Sequence, residues 1–206
     1  SGVQRVVIAM IDPNPLVAGK GVQKLREAGL EVIVGVAEEE ARSLNEAFIK
    51  YITQEIPFIT CKIGMSLDGK TATRTGKSKW ITSTAARNEG HYYRSIHAGI
   101  LVGVDTIIAD DPLLNCRYEG SKLEKIHQPV RIIIDTRGRV PETAKVLSDK
   151  TTDTIVVTTA LCSNEKKERL EKMGITVLTT KLTENHKVCL HDALKQLAKI
   201  GVQSIL

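Results

Sequence analysis

Short apolar segments alternate with amphipathic segments along this sequence, and that alternation constrains the fold more than any other feature. The apolar segments are rich in Val and Ile and predict buried strands. The amphipathic segments predict helices, several of which stop at a glycine such as Gly29, Gly174 or Gly201. Because strands joined through helices by short links lie parallel, the sequence predicts an α/β fold. The predicted strands are 5–10, 31–36, 58–61, 99–104, 130–135, 154–158, 175–178 and 202–206, and the predicted helices are 21–28, 37–53, 83–97, 164–173 and 191–200.

Composition narrows the class of ligand. Apolar residues make up 42% of the chain, enough for a folded core, whereas aromatic residues make up only 3%. The net charge of +5 is spread along the chain, which argues against nucleic acid as a partner and suits a phosphorylated small molecule. The cysteines are far apart and no apolar run could span a membrane. We therefore expect reduced thiols, no metal site within this chain and a cytoplasmic protein, with association into a homo-oligomer left open.

A loop rich in glycine, hydroxyl and lysine residues follows the predicted strand 58–61. It runs from Lys62 to Trp80 and offers almost no side chain to a core. Small and cationic residues at the end of a strand are typical of α/β proteins that present a phosphorylated ligand. Lys62 itself allows three interpretations: a general acid, a charge anchor for the ligand, or an exposed lysine at a strand end.

The predicted helix 83–97 has Ser83 as its N-cap and carries Arg87, His91 and Arg94 on one face. Two arginines on one stripe can hold a phosphate through paired hydrogen bonds. The alternative is a solvated basic face with no ligand, and the spacing does not separate the two.

A second polar loop, 104–112, is predicted after the strand 99–104. Ligands of parallel sheets bind beyond the carboxyl ends of the strands, so Thr106 and Asp110 are placed to contact one. Asp110 and Asp111 have an alternative role in capping or in a turn. The sequence contains neither Gly-x-Gly-x-x-Gly nor a P-loop, which excludes a standard Rossmann interpretation but not a nucleotide cofactor.

We predict a domain boundary at 55–57, where a proline separates two series of strands and helices. Strand patterns lie close to both ends of the chain. They predict a segment cut from a longer protein, and a native protein with a terminal strand at each end is the alternative.

In combination, these motifs closely resemble the bifunctional deaminase-reductase family of riboflavin biosynthesis. The resemblance covers essentially the whole chain. Residues 1–56 are similar to the C-terminal part of a cytidine-deaminase-like α/β/α domain, and 57–206 to the first part of a dihydrofolate-reductase-like α/β domain. The motifs that carry it are SGV at 1–3, AMIDPNPLVAGKG at 9–21, LNE at 44–46, SLDGK at 66–70, SKWIT at 78–82, LVGV at 101–104, ADDP at 109–112 and RIIID at 131–135.

The resemblance implies two successive reactions. A zinc-dependent deaminase acts on a diaminopyrimidinone ribosylamine 5′-phosphate, and a reductase then uses NADPH to convert the ribosyl chain of 5-amino-6-(5-phosphoribosylamino)uracil to ribityl. The resemblance implies that the family's zinc-binding segment precedes Ser1 and that its glycine-rich phosphate-binding segment follows Leu206, so we expect no deaminase activity from this chain and weak NADPH binding or none. A stand-alone reductase of the dihydrofolate-reductase type and a non-catalytic module that binds nucleotide phosphates are the alternatives.

The resemblance also assigns site residues. Positions that match NADP contacts are Gly64, Trp80, Thr106, Asp110 and, in a local sequence that departs from the family, Gly138. Positions that match substrate contacts are Ser78, Arg94, Leu114 and Arg117, of which the two arginines suit the phosphate. Lys62 matches a lysine near the reacting centre, where it orients the substrate or supplies a proton. Asp12 and Asn14 match the deaminase pocket, with a plain Asp-Pro-Asn-Pro turn as the alternative.

Overall fold

The computed structural model describes residues 2–120 and 125–206, so Ser1 of the first motif lies outside the described residues. The chain forms two compact units, Ser1–Phe58 and Ile59–Leu206. Within the described part of the chain, every helix is too short or too polar to cross a lipid bilayer.

The first unit begins with a strand–helix–strand motif. Strands β1 (Arg5–Ile8) and β2 (Glu31–Val34) pair in parallel, and helix α1 (Lys20–Glu27) connects them. Val6 lies opposite Val32 in the register, and both are half-buried. The predicted parallel crossover is therefore confirmed, with each strand two residues shorter than expected.

The single helix predicted at 37–53 is wrong, because the structure has two helices there, α2 (Glu38–Leu44) and α3 (Glu46–Gln54). Asn45 separates them, with φ at −107° and ψ at 16°. Its side-chain amide donates to the backbone carbonyl one turn earlier, at 2.8 Å, and so competes with the helical pattern. Leu44, which a single continuous helix would place on the same face as Phe48, is 88% exposed.

The second unit is built on a six-stranded sheet with the order β3-β8-β4-β5-β6-β7. Strand β4 pairs in parallel with β5 and β8, and β5, β6 and β7 continue in parallel. All the strands predicted for this unit are confirmed, although the first ends at Ile59 rather than Cys61. The strands are β3 (Phe58–Ile59), β4 (Gly99–Gly103), β5 (Val130–Ile134), β6 (Thr154–Thr158), β7 (Thr176–Thr179) and β8 (Ser204–Ile205).

Five helices accompany this sheet in the described ranges. They are α4 (Thr84–Ile96), α5 (Val104–Asp110), α6 (Lys145–Ser148), α7 (Asn164–Lys172) and α8 (Leu190–Lys199). The hydroxyl of Ser83 accepts a hydrogen bond from the Ala86 amide at 3.2 Å, which confirms the predicted N-cap of α4. The loop predicted at 104–112 is wrong: most of it is α5, which buries Val104 and Ile107 on one face.

Both faces of the sheet are covered by apolar side chains. Successive residues of β5, Ile132 and Ile133, are fully buried and belong to different core clusters, as the alternation of a strand requires. The Ile133 cluster includes side chains from α5, α6 and α7, whereas the Ile132 cluster includes Ala193 and Leu197 of α8. The unit is therefore a three-layer α/β/α sandwich, as expected for a parallel sheet.

Candidate functional site

A cleft of about 400 Å³ lies beside β4. It is bounded by α4 and by the two ends of the loop 62–80, which follows β3. It brings together four of the predicted site residues: Lys62, Trp80, Arg94 and Arg117. The rest of its lining consists of Arg87, Gly90, His91, Ile100, Leu101, Val102 and Leu206. No acidic side chain is among these described lining residues, so the cleft has a marked excess of positive charge.

Three side chains on one face of α4 hold the segment 115–119 against the helix. Arg94 donates from Nη1 to the carbonyl of the first residue of this segment at 2.8 Å. His91 accepts at Nδ1 from the amide of the third residue, Arg117, at 3.1 Å. Asn88 exchanges two hydrogen bonds with the backbone of the fifth residue, at 2.6 and 2.9 Å. This α4 ladder fixes Arg117 next to Arg94 in the cleft.

Burial and neighbouring positive charge lower the pKa of two residues of the cleft, His91 and Arg94. Burial, followed by the charges of Arg94 and Arg117, lowers the pKa of His91 from 6.5 to about 4. Burial, and then the charge of Arg117, lowers the pKa of Arg94. His91 is therefore neutral at pH 7, and its hydrogen lies on Nε2 because Nδ1 accepts from an amide. An anion in the cleft would relieve the repulsion between the arginines.

We expect the imidazole of His91 to titrate with a midpoint near pH 4 rather than 6.5. Replacing Arg94 by alanine should raise that midpoint, because it removes a neighbouring positive charge and exposes the ring to water. The measurement is a pH titration of the histidine C–H signals by NMR, assigned with a His91→Gln variant. A midpoint near 6.5 in the unaltered protein would contradict the arrangement of charges.

The loop 62–80 consists of tight turns that leave its side chains largely in solvent. Ser66 and Lys70 close one turn through their backbones at 2.9 Å, and every residue from 71 to 80 is exposed. Gly64 lies beside the cleft: a Cβ built there would be 3.6 Å from Lys62 Nζ. The loop is tied to α5 by an ion pair between Lys79 and Asp110, with 3.1 Å between Nζ and Oδ1.

Ser78, Leu114 and Asp110 are predicted site residues that do not line this cleft. Ser78 is exposed on the loop. Leu114 is only 4% exposed and its side chain packs in the core, so its part in substrate binding stays a prediction. Asp111 accepts from the Lys145 amide at 2.9 Å and so caps the start of α6, which confirms the capping alternative for this residue. Asp110 instead has the ion pair to the loop.

A second cleft of about 720 Å³ lies at the carboxyl ends of β4 and β5. Its basic side chains are Arg137, Arg139 and Lys187. Gly138 lies between the two arginines with φ at +70°, and a Cβ there would be 2.5 Å from Cys162 Sγ. Packing against Cys162 therefore requires this glycine. Thr106 is exposed on the first turn of α5, next to Asp105, which lines this cleft.

Asp12 and Asn14 lie in the first unit and form two successive turns. Asp12 Oδ1 accepts from the Asn14 amide at 2.9 Å, and Asn14 Oδ1 accepts from the amide two residues further on at 3.0 Å. This geometry matches the plain-turn alternative. Their part in a deaminase pocket stays a prediction.

The fold and the cleft define a class: a parallel α/β domain with a cationic cleft beside β4, an interior strand of its sheet. The family can also be stated. The chain belongs to the RibD C-terminal domain family, whose sequence profile matches residues 57–206. The resemblance indicated by the motifs is therefore confirmed.

Relatives with high identity cover the whole chain. The riboflavin biosynthesis protein RibD of Aquifex aeolicus (strain VF5) is 49% identical over 206 residues, which are 100% of this chain and 55% of the relative. The RibD protein of Bacillus amyloliquefaciens is 46% identical over 205 residues, 100% of this chain and 53% of the relative. The chain thus spans about half the length of the curated relatives it matches.

Solved structures confirm the α/β fold class. A diaminohydroxyphosphoribosylaminopyrimidine deaminase/5-amino-6-(5-phosphoribosylamino)uracil reductase from Thermotoga maritima superposes with a TM-score of 0.79 at 34% identity, over 100% of this chain and 53% of that one. Acinetobacter baumannii RibD gives 0.82 at 38%, over 99% and 54%. The yeast riboflavin biosynthesis reductase Rib7 gives 0.54 at 21%, over 79% and 70%, which shows the fold alone.

Proposed function

We propose that residues 57–206 form the first part of an NADPH-dependent reductase domain and that 1–56 are the end of a deaminase domain. The proposed reaction converts the ribosyl chain of 5-amino-6-(5-phosphoribosylamino)uracil to a ribityl chain. The observation that carries the proposal is the convergence of Lys62, Arg94 and Arg117 with the exposed Trp80 in one cleft. A phosphorylated pyrimidine offers an anion for the cations and a ring for the indole.

The residues present fit a dinucleotide cofactor. Trp80 offers an exposed ring, and no side chain at Gly64 obstructs approach to the backbone beside Lys62. Val102 of β4 lines the first cleft, and the next residue, Gly103, lines the second cleft at the carboxyl ends of β4 and β5. In the second cleft Arg139 is paired with Asp105 at 2.7 Å, which leaves Arg137 and Lys187 as further cations for an elongated ligand that passes the ends of the strands.

The chemistry that NADPH supplies when bound is donation of a hydride to the sugar carbon that is reduced. The chain's own residues bind and orient the substrate. Arg94 and Arg117 hold the 5′-phosphate, and the α4 ladder keeps their separation fixed. Lys62 lies against Gly90 of α4, where a Cβ would be 3.6 Å from its Cε, and can orient the sugar or give it a proton.

The described residues do not fit a zinc site, because no three His, Cys, Asp or Glu side chains come together in them. We therefore derive no step through zinc.

The decisive experiment incubates the full-length protein that contains these residues with NADPH and 5-amino-6-(5-phosphoribosylamino)uracil, and in parallel with dihydrofolate. We expect NADPH to lose its near-ultraviolet absorbance only with the pyrimidine, and mass spectrometry to show a product that has gained two hydrogen atoms. Oxidation with dihydrofolate alone would identify the stand-alone reductase instead. Binding of both ligands without turnover would identify a non-catalytic module. If a Lys62→Met variant has unchanged turnover, Lys62 neither orients the sugar nor gives it a proton.

A further inference from the structure

Arg87 lies in the cationic cleft, but its guanidinium is engaged by the protein itself. Nη1 donates to the Thr82 carbonyl at 2.6 Å, and Nη2 donates to the Thr84 hydroxyl at 2.9 Å. Thr84 is the first residue of α4, so the two bonds join the end of the loop to the start of the helix. The plane of the guanidinium is fixed by these bonds, and two of its nitrogens are committed.

The fixed guanidinium faces Trp80. Its Cζ lies 4.3 Å from the centroid of the indole, within the range of a cation–π contact. Trp80 nevertheless remains 72% exposed. One face of the ring is therefore supported by Arg87, and the rest of the ring is open to solvent.

Trp80 has little other support. It ends a run of ten exposed residues, and the ion pair of the preceding Lys79 with Asp110 restrains the backbone rather than the ring. A large exposed aromatic side chain gains a defined orientation only from what it contacts. In the described part of the chain, the ring contact that we find for Trp80 is with Arg87.

We infer that Arg87 is a positioning residue that holds Trp80 as a platform on which a planar heteroaromatic ring stacks, rather than a phosphate ligand. The inference rests on the proposed function for the identity of that ring, which belongs either to the cofactor or to the pyrimidine substrate. It assigns different roles to the two arginines of the α4 stripe, in place of a joint phosphate clamp by Arg87 and Arg94. Arg94 and Arg117 serve the anion, and Arg87 serves the aromatic ring.

The test uses the fluorescence of Trp80, which is the only tryptophan among the 206 residues. In Arg87→Met we expect a changed emission maximum and roughly twofold greater quenching by acrylamide, because the covered face becomes accessible. NADPH, titrated by quenching of the same fluorescence, should bind roughly three- to tenfold more weakly. Ribose 5-phosphate, titrated by calorimetry, should bind with unchanged affinity.

Three further variants distinguish the charge of Arg87 from the orientation of its guanidinium. Arg74→Met removes a cation from the same loop and should leave the emission maximum, the acrylamide quenching and both affinities unchanged. Arg94→Ala should weaken binding of ribose 5-phosphate without altering the acrylamide quenching of Trp80. Thr84→Ala keeps the Arg87 charge but removes one of its two anchors, so it should reproduce part of the Arg87→Met effect even if the latter folds poorly.

Unchanged Trp80 fluorescence in Arg87→Met would overturn the inference, as would a loss of ribose 5-phosphate affinity equal to that of Arg94→Ala. Titration with the pyrimidine substrate in place of NADPH identifies which ring occupies the platform. If NADPH quenches the Trp80 fluorescence of the unaltered protein but no substrate is reduced, the proposed reaction is wrong and the inference about Arg87 and Trp80 is retained.

Discussion

Replacing Arg94 by alanine is expected to weaken binding of the phosphorylated substrate roughly 10- to 100-fold while changing NADPH affinity by less than about threefold. Charge-assisted hydrogen bonds to phosphate are among the strongest polar contacts, and the guanidinium proposed to make them, that of Arg94, is partly buried in the cleft. Its repulsion with Arg117 in the free protein adds to the gain on binding an anion. The measurements are the KM for the substrate and the dissociation constant for NADPH.

Two controls distinguish this role from a structural one. Arg94→Lys keeps the charge but loses the planar fork, so it should restore only part of the affinity. Asn88→Ala breaks two hydrogen bonds of the same α4 ladder but removes no cation from the cleft, so it should weaken substrate binding much less than Arg94→Ala does. Equal losses for substrate and NADPH in Arg94→Ala, or a comparable loss in Asn88→Ala, would show that the ladder as a whole matters rather than the contact to phosphate.

Local sequence patterns were sufficient for most of the fold. The strands of the second unit were predicted because buried parallel strands are continuous Val and Ile runs, and the helix ends because glycine marks them. The four-residue helix α6 was not predicted, because it is too short to show a periodic pattern. The errors at 37–53 and 104–112 also have local causes that periodicity does not show. Asn45 ends α2 through one side-chain hydrogen bond, and the seven residues of α5 are too few to show a helical repeat beyond Val104 and Ile107.

Site residues were predictable from the sequence where they directly follow a predicted strand or lie on one face of a predicted helix. Lys62 and Arg94 are such positions, and the family motifs add Trp80 and Arg117. The α4 ladder was not predictable from the sequence. Every third residue of the helix bonds to every second residue of the segment 115–119, and no local pattern indicates that these two parts of the chain lie side by side. The contact between Arg87 and Trp80 was likewise not predictable, because it depends on how the chain bends between the loop and α4.

The largest stability effect is expected away from the cleft, at the buried guanidinium of Arg131. Its side chain is fully buried, at the second residue of β5. Nη1 donates to the Asp149 carboxylate at 3.0 Å and Nη2 to the Asp149 carbonyl at 2.8 Å, with a further bond to the carbonyl of Thr152. Asp149 supplies the negative charge that compensates this cation, and its carboxylate also accepts from the amide and hydroxyl of Thr151.

Asp149→Ala should therefore lower the free energy of unfolding by about 3–5 kcal/mol, because it leaves a buried guanidinium without a counter-charge. Denaturant unfolding followed by circular dichroism measures this loss. The double variant Arg131→Met, Asp149→Ala removes the stranded charge and keeps an apolar side chain of similar length, so it should be more stable than Asp149→Ala alone. A double variant that is less stable than the single one would mean that the hydrogen bonds, rather than the uncompensated charge, set the cost.

The same carboxylate gives stability a defined dependence on pH. Hydrogen bonds from Thr151, and then the contact with Arg131, lower the pKa of Asp149 below its ordinary value of 3.8. Because the folded state holds this group ionised more strongly than the unfolded state does, its contribution is fully present above about pH 4 and is lost as the pH falls through the lowered pKa. The stability difference between the unaltered protein and Asp149→Asn should thus be constant from pH 7 to about pH 5 and shrink below about pH 4. A difference that stays constant into that acidic range would show that Asp149 acts through its shape and hydrogen-bond acceptors and not through its charge.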